Sequence, residues 1–194
     1  MRSALLVIDV QESFRQRPDW AATDRPDIAG RVARLVDAAR ARDEAVVWVL
    51  HAEAGTGGVF DPESGFVRLM DDLKPAAGEP VLTKTSHNAF TTTRLQQFLT
   101  EGGIGAVTVC GIRTEQCCET TARVAADLGY RVTFVIDATA TTPIEHREAP
   151  PGRTVERILA DPRTLGTREI ARRTEYVLAG RFATIRTVEE LTGP

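Results

Sequence analysis

The sequence predicts an α/β protein, a three-layer α/β/α sandwich around a mostly parallel six-stranded sheet with Rossmann-like topology. The first observation is that short apolar runs of strand length alternate along the chain with segments whose apolar residues recur at helical spacing. The second is that the short runs are continuously apolar, which is typical of parallel strands buried on both faces. With 194 residues, 42% of them hydrophobic, the chain is long enough for a full core, and we expect one domain over 1–194.

Composition excludes several classes of partner. A net charge of −3 gives no basic footprint for a nucleic acid, and no apolar run approaches the ~18 residues of a membrane span. The three cysteines, Cys110, Cys117 and Cys118, lie within nine positions of one another. This spacing fits neither a set of structural disulfides nor a zinc site. We therefore expect a cytoplasmic protein that acts on a small molecule and binds neither nucleic acid nor membrane.

The first half of the chain predicts a βαβ unit with a right-handed crossover, followed by a long loop. Val32, Leu35, Val36 and Ala39 define the buried face of its helix. The loop is rich in Gly, Glu and Pro, and a loop of this length at a sheet edge usually shapes a site. In order, the predicted elements are a strand at 4–8, a helix at 26–43, a strand at 45–50, the loop at 53–65 and a short helix at 66–73.

The second half continues the alternation of strands and helices. Thr92 or Thr93 is the predicted cap of one helix, which Gly102 ends. The segment 142–163 receives no role. In order, the predicted elements are a strand at 80–83, the helix that Gly102 ends, a strand at 106–110, a helix at 115–128, a strand at 131–136, a loop at 138–152, helices at 153–160 and 167–180, a strand at 182–185 and a turn at 188–191.

Cys117 is the candidate nucleophile. Gly111 ends the strand before it, and Thr114 stands where a helix N-cap is expected. A cysteine three residues after a cap lies beside unpaired N–H groups and the positive end of a helix dipole, which favour a thiolate. The alternative is a small buried apolar residue, an interpretation that fits Cys110 and Cys118.

Several chemically active side chains directly follow predicted strands. The carboxyl ends of parallel strands meet at one edge of a sheet, which is where ligands bind in such folds. Asp9 could also be a solvated loop residue or a cap, and Lys84 a surface lysine. The residues that follow strands in this way are Asp9, His51, Lys84, Cys117 and Asp137.

Three segments in this order carry a resemblance to a known family. They are LLVIDVQESF with Asp9, KTSHNAFTTTRL beginning at Lys84, and VCGIRTEQCCETTARVAADLGYRVTFVIDA with Cys117, and ATIRTVEEL follows near the end. The chain resembles the isochorismatase-like cysteine hydrolases, a superfamily that includes nicotinamidases and carbamoylsarcosine-type amidohydrolases. The resemblance covers nearly the whole chain and implies the isochorismatase-like form of the predicted fold.

The resemblance implies hydrolysis of a C–N bond in a small amide or carbamoyl compound through a thioester at Cys117, without a cofactor. Asp9 would transfer the proton and Lys84 would hold Asp9 and favour the thiolate. The backbone N–H groups of Arg113 and Cys117 would bind the oxyanion, beside a cis Ile112–Arg113 peptide bond. A homodimer or homotetramer is also implied. The alternatives are hydrolysis of an ether or ester in the same fold, or a binding protein without turnover.

Two departures from the family pattern bear on the substrate. Nicotinamidases bind a metal through an Asp-x-His and a further His after the second strand, whereas this chain reads LHAEAGTGG, so we predict no metal site. The family more commonly has a small or apolar residue where Arg113 stands. Arg113 either recognises an acidic group on the substrate or pairs with an acid of the protein itself. The predicted substrate pocket comprises Phe14, His51, Asn88, Phe90 and Arg113.

Overall fold

The computed structural model describes residues 1–70 and 73–193 and confirms the α/β sandwich. All six strands are parallel, in the order β3-β2-β1-β4-β5-β6. The order reverses between β1 and β4, so the topological switch point lies between these two strands. The strands are β1 (Arg2–Ile8), β2 (Ala45–His51), β3 (Val81–Lys84), β4 (Ile104–Ile112), β5 (Arg131–Ala140) and β6 (Thr184–Arg186).

Helices cover both faces of the sheet because successive residues of each strand point to opposite sides. Leu6 and Ile8 of β1 pack into one apolar cluster, and Leu5 and Val7 into the other. The helices are α1 (Ile28–Ala41), α2 (Leu95–Glu101), α3 (Glu119–Asp127), α4 (Val155–Ala160), α5 (Thr167–Leu178) and α6 (Val188–Thr192). The first cluster includes residues of α2, α3 and α5, and the second includes residues of α1 and α6.

The structure differs from the sequence prediction between β2 and β3. No helix forms at 66–70, where Leu69 instead makes an antiparallel bridge with Gln11. Asp71 and Asp72, which the predicted helix included, lie outside the described residues. The pairing ties this loop to the segment that follows β1, and tertiary hydrogen bonding overrides the local helical pattern.

The strand β5 runs beyond its predicted end. Its register against β4 shifts between Val109 and Gly111, which takes up extra residues of β5 and carries the strand to Ala140. Asp137 therefore lies within the strand, accepts a hydrogen bond from the backbone N–H of Val188 at 2.8 Å and pairs with Arg31. Asp137 is a structural residue that holds the first residue of α6.

The segment 142–163 is held by side chains as well as by α4. Ile144 bridges Leu165, and Arg153 donates to Glu145 and Asp161 at 2.6 and 2.9 Å. The helix α4 packs against a short 3₁₀ helix at Pro18–Ala22. Among the residues that the structure describes, no helix is both long and apolar enough to cross a membrane.

Candidate active site

The ends of four neighbouring strands place the candidate residues together. Asp9 follows β1, His51 ends β2 and Lys84 ends β3, and Cys117 lies in the turn after β4. Asp9 adopts a left-handed φ of 52°, which is uncommon for a residue with a side chain. Its backbone N–H donates to Val49 at 2.8 Å, and this bond fixes the bend at the strand end.

Gly111 allows β4 to approach β1 beside this bend. It pairs with Ile8 across the two strands and has a φ of +132°. A Cβ atom at this position would lie 1.9 Å from the carbonyl oxygen of Ile8. Only glycine fits, so the residue that the sequence marks as the strand's end also sets the spacing between the elements that carry Asp9 and Cys117.

Asp9, Lys84 and Cys117 form one buried cluster. Lys84 Nζ lies 2.7 Å from Asp9 Oδ2 and donates to Cys117 Sγ at 3.4 Å. Asp9 and Lys84 are 0% exposed and Cys117 is 8% exposed. The ammonium–carboxylate contact is a close, buried ion pair, and the Asp9 carboxylate also interacts with the Cys117 side chain.

Burial and charge together determine the protonation of the cluster. Burial raises the pKa of Asp9 above its usual value, although the Lys84 charge counteracts this. Burial alone would lower the pKa of Lys84, but the charges of Asp9 and Cys117 raise it. Burial and the neighbouring Asp9 raise the pKa of Cys117 to about 12. Burial and Asp9 therefore favour the thiol form of Cys117, in the opposite direction to the effect expected from the helix end.

The turn that carries Cys117 differs from the predicted helix start. Residues Thr114–Cys118 form a π-helical turn that begins after Arg113, and α3 follows at Glu119. Thr114 is therefore not the N-cap, and its hydroxyl instead donates to Thr139 Oγ1 at 2.9 Å. The Ile112–Arg113 peptide bond is cis, as the resemblance implies.

His51 connects Lys84 to the mouth of the site. Its Nδ1 lies 3.3 Å from Lys84 Nζ, and its Nε2 lies 3.3 Å from Glu53 Oε1. Because the ammonium can only donate, Nδ1 is the acceptor and the neutral ring carries its proton on Nε2. Gln11 fixes the His51 backbone, accepting from its N–H at 2.7 Å and donating to its carbonyl at 3.0 Å.

A cavity of about 170 Å³ opens onto Cys117. The structure places Phe14, His51 and Arg113 of the predicted pocket in its lining. The residues that line it are Asp9, Phe14, Arg17, His51, Glu53, Phe60, His87, Arg113, Gln116 and Cys117. The size suits a small molecule.

Two predicted pocket residues do not line this cavity. Asn88 caps a turn, where its Oδ1 accepts from the N–H groups of Phe90 and Thr91 at 2.9 Å. Phe90 is buried in the core and stacks on Tyr130, with ring centroids 5.9 Å apart. Ala89 and Phe90 of the segment that begins at Lys84 are both buried, so this pair has a packing role. The family resemblance alone could not distinguish that role from a substrate contact.

The predicted site does not include five of the lining residues: Phe60 and the four polar residues Arg17, Glu53, His87 and Gln116. Each belongs to a loop or turn after a strand that ends at the site, namely β1, β2, β3 and β4. Their position after strand ends was the available signal. The conformation of the loops decides which side chains turn inward, and the sequence pattern does not contain it.

The Arg113 side chain lines the cavity and also pairs with the protein itself. Its Nη2 donates to Asp19 Oδ2 at 2.6 Å, and Thr142 donates to the same oxygen at 3.0 Å. The other oxygen of Asp19 accepts from Arg17 Nε at 3.0 Å. Arg113 therefore pairs with an acid of the protein itself, one of the two expected alternatives, and this acid is Asp19.

Metal binding has little support among the described residues, where no group of three or more His, Cys, Asp or Glu side chains is placed to hold an ion. His51 and Glu53 contact one another at 3.3 Å and have no third partner of this kind within residues 1–70 and 73–193. Two such ligands fall short of the three protein ligands that a catalytic zinc site takes.

Comparison with known proteins identifies the family of this chain. A family model described as the isochorismatase domain matches residues 3–156. A streptothricin hydrolase of Streptomyces noursei is 37% identical over 139 residues, which are 71% of this chain and 54% of that protein. Nicotinamidase 3 of Arabidopsis thaliana is 32% identical over 160 residues, covering 76% of this chain and 77% of that protein.

A solved structure shares the fold over almost the full length. The crystal structure of an isochorismatase from Pseudomonas putida KT2440 has a TM-score of 0.82 and 30% identity, covering 97% of this chain and 89% of that one. With the family model spanning the Asp9, Lys84 and Cys117 positions, the chain belongs to the isochorismatase family of hydrolases.

Proposed function

We propose that the protein is a cysteine-dependent hydrolase that cleaves a C–N bond of a small amide or carbamoyl compound through a thioester on Cys117. The observation that supports this proposal is the buried cluster at the base of the cavity, where one ammonium contacts both a carboxylate and a thiol. Lys84 Nζ lies 2.7 Å from Asp9 and 3.4 Å from Cys117. An acid–base group and a nucleophile in contact are what acyl transfer requires.

In the first step Asp9 takes the thiol proton as Cys117 Sγ attacks the carbonyl carbon. Burial raises the pKa of Asp9, which makes it a stronger base than an exposed carboxylate. The positive charge of Lys84 stabilises the developing thiolate. The C–S bond forms, and the carbonyl π electrons move onto oxygen.

The oxyanion would be held by the backbone N–H groups of Arg113 and Cys117. Arg113 directly precedes the turn after β4, Cys117 lies within this turn, and both residues line the same cavity. Donors fixed in advance stabilise a developing negative charge better than water, because they need not reorient. When the oxyanion collapses, the C–N bond breaks and the amine leaves with the proton from Asp9.

Water then completes the cycle. Asp9, again a carboxylate, takes a proton from a water molecule as its oxygen attacks the thioester carbonyl and forms the C–O bond. The C–S bond then breaks, the acid product leaves, and Asp9 returns the proton to the Cys117 sulfur. His51 would hold the Lys84 ammonium at 3.3 Å through both steps. No metal or cofactor takes part in this scheme, because every proton transfer uses a side chain of the cluster.

Relatives named as a nicotinamidase and a streptothricin hydrolase support a hydrolase of C–N bonds. The alternatives are an ether or ester hydrolase in the same fold and a binding protein without turnover. Hydrolysis rates on a panel of amides, carbamoyl compounds, esters and enol ethers distinguish the proposed activity from the first alternative. Selective labelling of Cys117 by iodoacetamide argues against the second, since it requires an accessible, reactive thiol.

The decisive experiment traps the acyl-enzyme. The wild-type protein is mixed with each member of the amide panel and quenched in acid, and the mass of the Cys117 peptide is measured along with ammonia release. Cys117→Ala should lose both the adduct and turnover. Cys118→Ala is the matched control, because this neighbouring cysteine is 0% exposed and does not line the cavity.

Retention of more than about a tenth of the wild-type rate by Cys117→Ala, a barrier difference of about 1.4 kcal/mol, would reject the mechanism. Two further properties stay proposals. The cytoplasm is supported by three free cysteines. A homodimer or homotetramer follows from the resemblance and is tested by light scattering.

A further inference from the structure

We propose that Arg17 and Arg113 form an anion-binding subsite beside Cys117, so that the substrate carries a carboxylate or a similar acidic group next to the bond that is cut. The inference rests on the proposed function and narrows its substrate class. Both guanidinium groups belong to residues that line the same cavity as Cys117. They come from different elements, the segment after β1 and the turn after β4.

The two guanidinium groups share a single carboxylate of the protein. Asp19 accepts from Arg113 Nη2 at 2.6 Å and from Arg17 Nε at 3.0 Å, with a longer contact of 3.4 Å from Arg17 Nη2. Although partial burial acts to raise it, the pKa of Asp19 lies below its usual value because of its bonds to Arg17, the charges of Arg17 and Arg113 and its bond to Thr142. Asp19 is therefore ionised at neutral pH and neutralises only one of two positive charges.

Arg113 keeps unused donors at the cavity. A guanidinium has five N–H groups, and the hydrogen bonds of the described residues engage only Nη2 of Arg113, with Asp19. Nε and Nη1 of Arg113 have no hydrogen-bond partner among the described residues. Neither nitrogen is fully buried, so both retain contact with open space. Free donors on a fixed planar group are suited to a carboxylate.

The remaining charges of the lining do not remove this excess. Asp9 is paired with Lys84 at 2.7 Å, and Glu53 lies 3.3 Å from His51 on the β2 side. The Glu53 side chain is 52% exposed, so solvent screens its charge, whereas the Arg113 side chain is 10% exposed. An acidic group entering the cavity would be attracted toward Arg113 rather than toward Glu53.

This arrangement gives the segment 142–163 a role. Thr142 Oγ1 donates to Asp19 Oδ2 at 3.0 Å, and α4 packs against the 3₁₀ helix that contains Asp19. The segment thereby holds the carboxylate that orients both arginines. Asp19 and Thr142 are positioning residues in this scheme, and the arginines make the contact with the ligand.

The test uses two alkylating probes of nearly equal size, iodoacetate and iodoacetamide, which differ in charge. Their rates at Cys117 are measured on the full chain by peptide mass spectrometry, and the iodoacetate-to-iodoacetamide ratio is divided by the same ratio for free cysteine. The comparison cancels changes in thiol reactivity that affect both probes. We expect a normalised ratio above one for the wild-type protein, with saturation by iodoacetate and competition by propionate.

Arg113→Gln should lower the normalised ratio about tenfold or more, because it removes a charge-assisted hydrogen bond to the carboxylate of iodoacetate. Arg17→Gln, at a more exposed position, should lower it less and keeps the test open if Arg113→Gln fails to fold. Arg186→Gln is the control, because it removes the same charge from β6, and Arg186 does not line the cavity. It should leave the ratio unchanged.

A ratio unaffected by both substitutions, or lowered equally by Arg186→Gln, would overturn the subsite. Alkylation requires no turnover, so the outcome is separate from that of the hydrolase proposal. If no amide is cleaved but the ratio responds to Arg113→Gln, the anion subsite stands and the hydrolase proposal fails. If amides are cleaved and the ratio does not respond, the reverse holds.

Discussion

At the scale of single residues, burial of Asp9 sets the pH at which the proposed chemistry works. Asp9 must be ionised to take the thiol proton, and burial raises its pKa above the usual 3.8. We expect kcat/KM for a neutral amide to fall as pH decreases through the raised pKa of Asp9, so the acid limb of the profile lies above pH 3.8. The pH–rate profile measures this directly.

Lys84 provides a sharper form of the same prediction. Its charge lowers the pKa of Asp9, so Lys84→Met should move the acid limb to higher pH as well as reduce the rate. Lys74→Met is the matched control, since Lys74 is the other lysine of the chain and is exposed. An acid limb at the same pH in wild type and Lys84→Met would show that Asp9 is not the titrating group.

The contacts of His51 predict that the activity does not depend on a metal ion. His51 already contacts Lys84 at Nδ1 and Glu53 at Nε2, so both ring nitrogens have partners. We expect full activity after exhaustive chelation, with elemental analysis finding less than stoichiometric zinc. Loss of activity on chelation and recovery on adding zinc would contradict this arrangement of the β2 loop.

At the scale of elements, the close approach of β1 and β4 depends on one glycine. A Cβ on Gly111 would lie 1.9 Å from the backbone of Ile8, and the φ of +132° is strained for any side chain. Gly111→Ala should therefore destabilise the protein by about 3 kcal/mol or more, at or above the upper end of over-packing penalties. Urea unfolding of the purified variant gives the value.

Gly30→Ala is the control for this substitution. Gly30 lies within α1, and a Cβ there meets nothing within 4 Å. We expect a gain in the free energy of unfolding of about 0.5–1 kcal/mol from the better helix propensity of alanine. If both glycine variants unfold at the wild-type urea concentration, close strand approach does not limit the stability of this site.

The sequence predicted the order of the strands and most of the helices, but not the side-chain partners of the residues that they carry. Strand ends could be located from apolar runs, and parallel topology then brings Asp9, Lys84 and Cys117 to one edge. The pair of Asp19 and Arg113 could not be predicted, because its members are 94 positions apart and meet through loop packing. The thiol state of Cys117 also depends on desolvation, which requires the folded surroundings.

At the scale of the whole molecule, the buried ion pair of Asp9 and Lys84 is held for chemistry and limits stability. Two buried charges lose their hydration on folding, and their mutual attraction offsets that loss only in part. The raised pKa of Lys84 means that its contribution is present below its unfolded value of 10.5 and is lost as pH rises through its folded pKa. We therefore expect the free energy of unfolding to decrease as the pH rises above 10.5.

A double-mutant cycle measures this balance. Asp9→Asn and Lys84→Met should each cost about 3–5 kcal/mol at neutral pH, because each leaves the other charge buried without its partner. The double variant Asp9→Asn/Lys84→Met has no buried charge at this position, and should be as stable as the wild type or more stable by about 1–4 kcal/mol, while inactive. Urea unfolding of the four proteins gives the coupling energy. If the double variant loses the sum of the two single losses, the ion pair contributes nothing as a pair, and the two side chains act on stability independently.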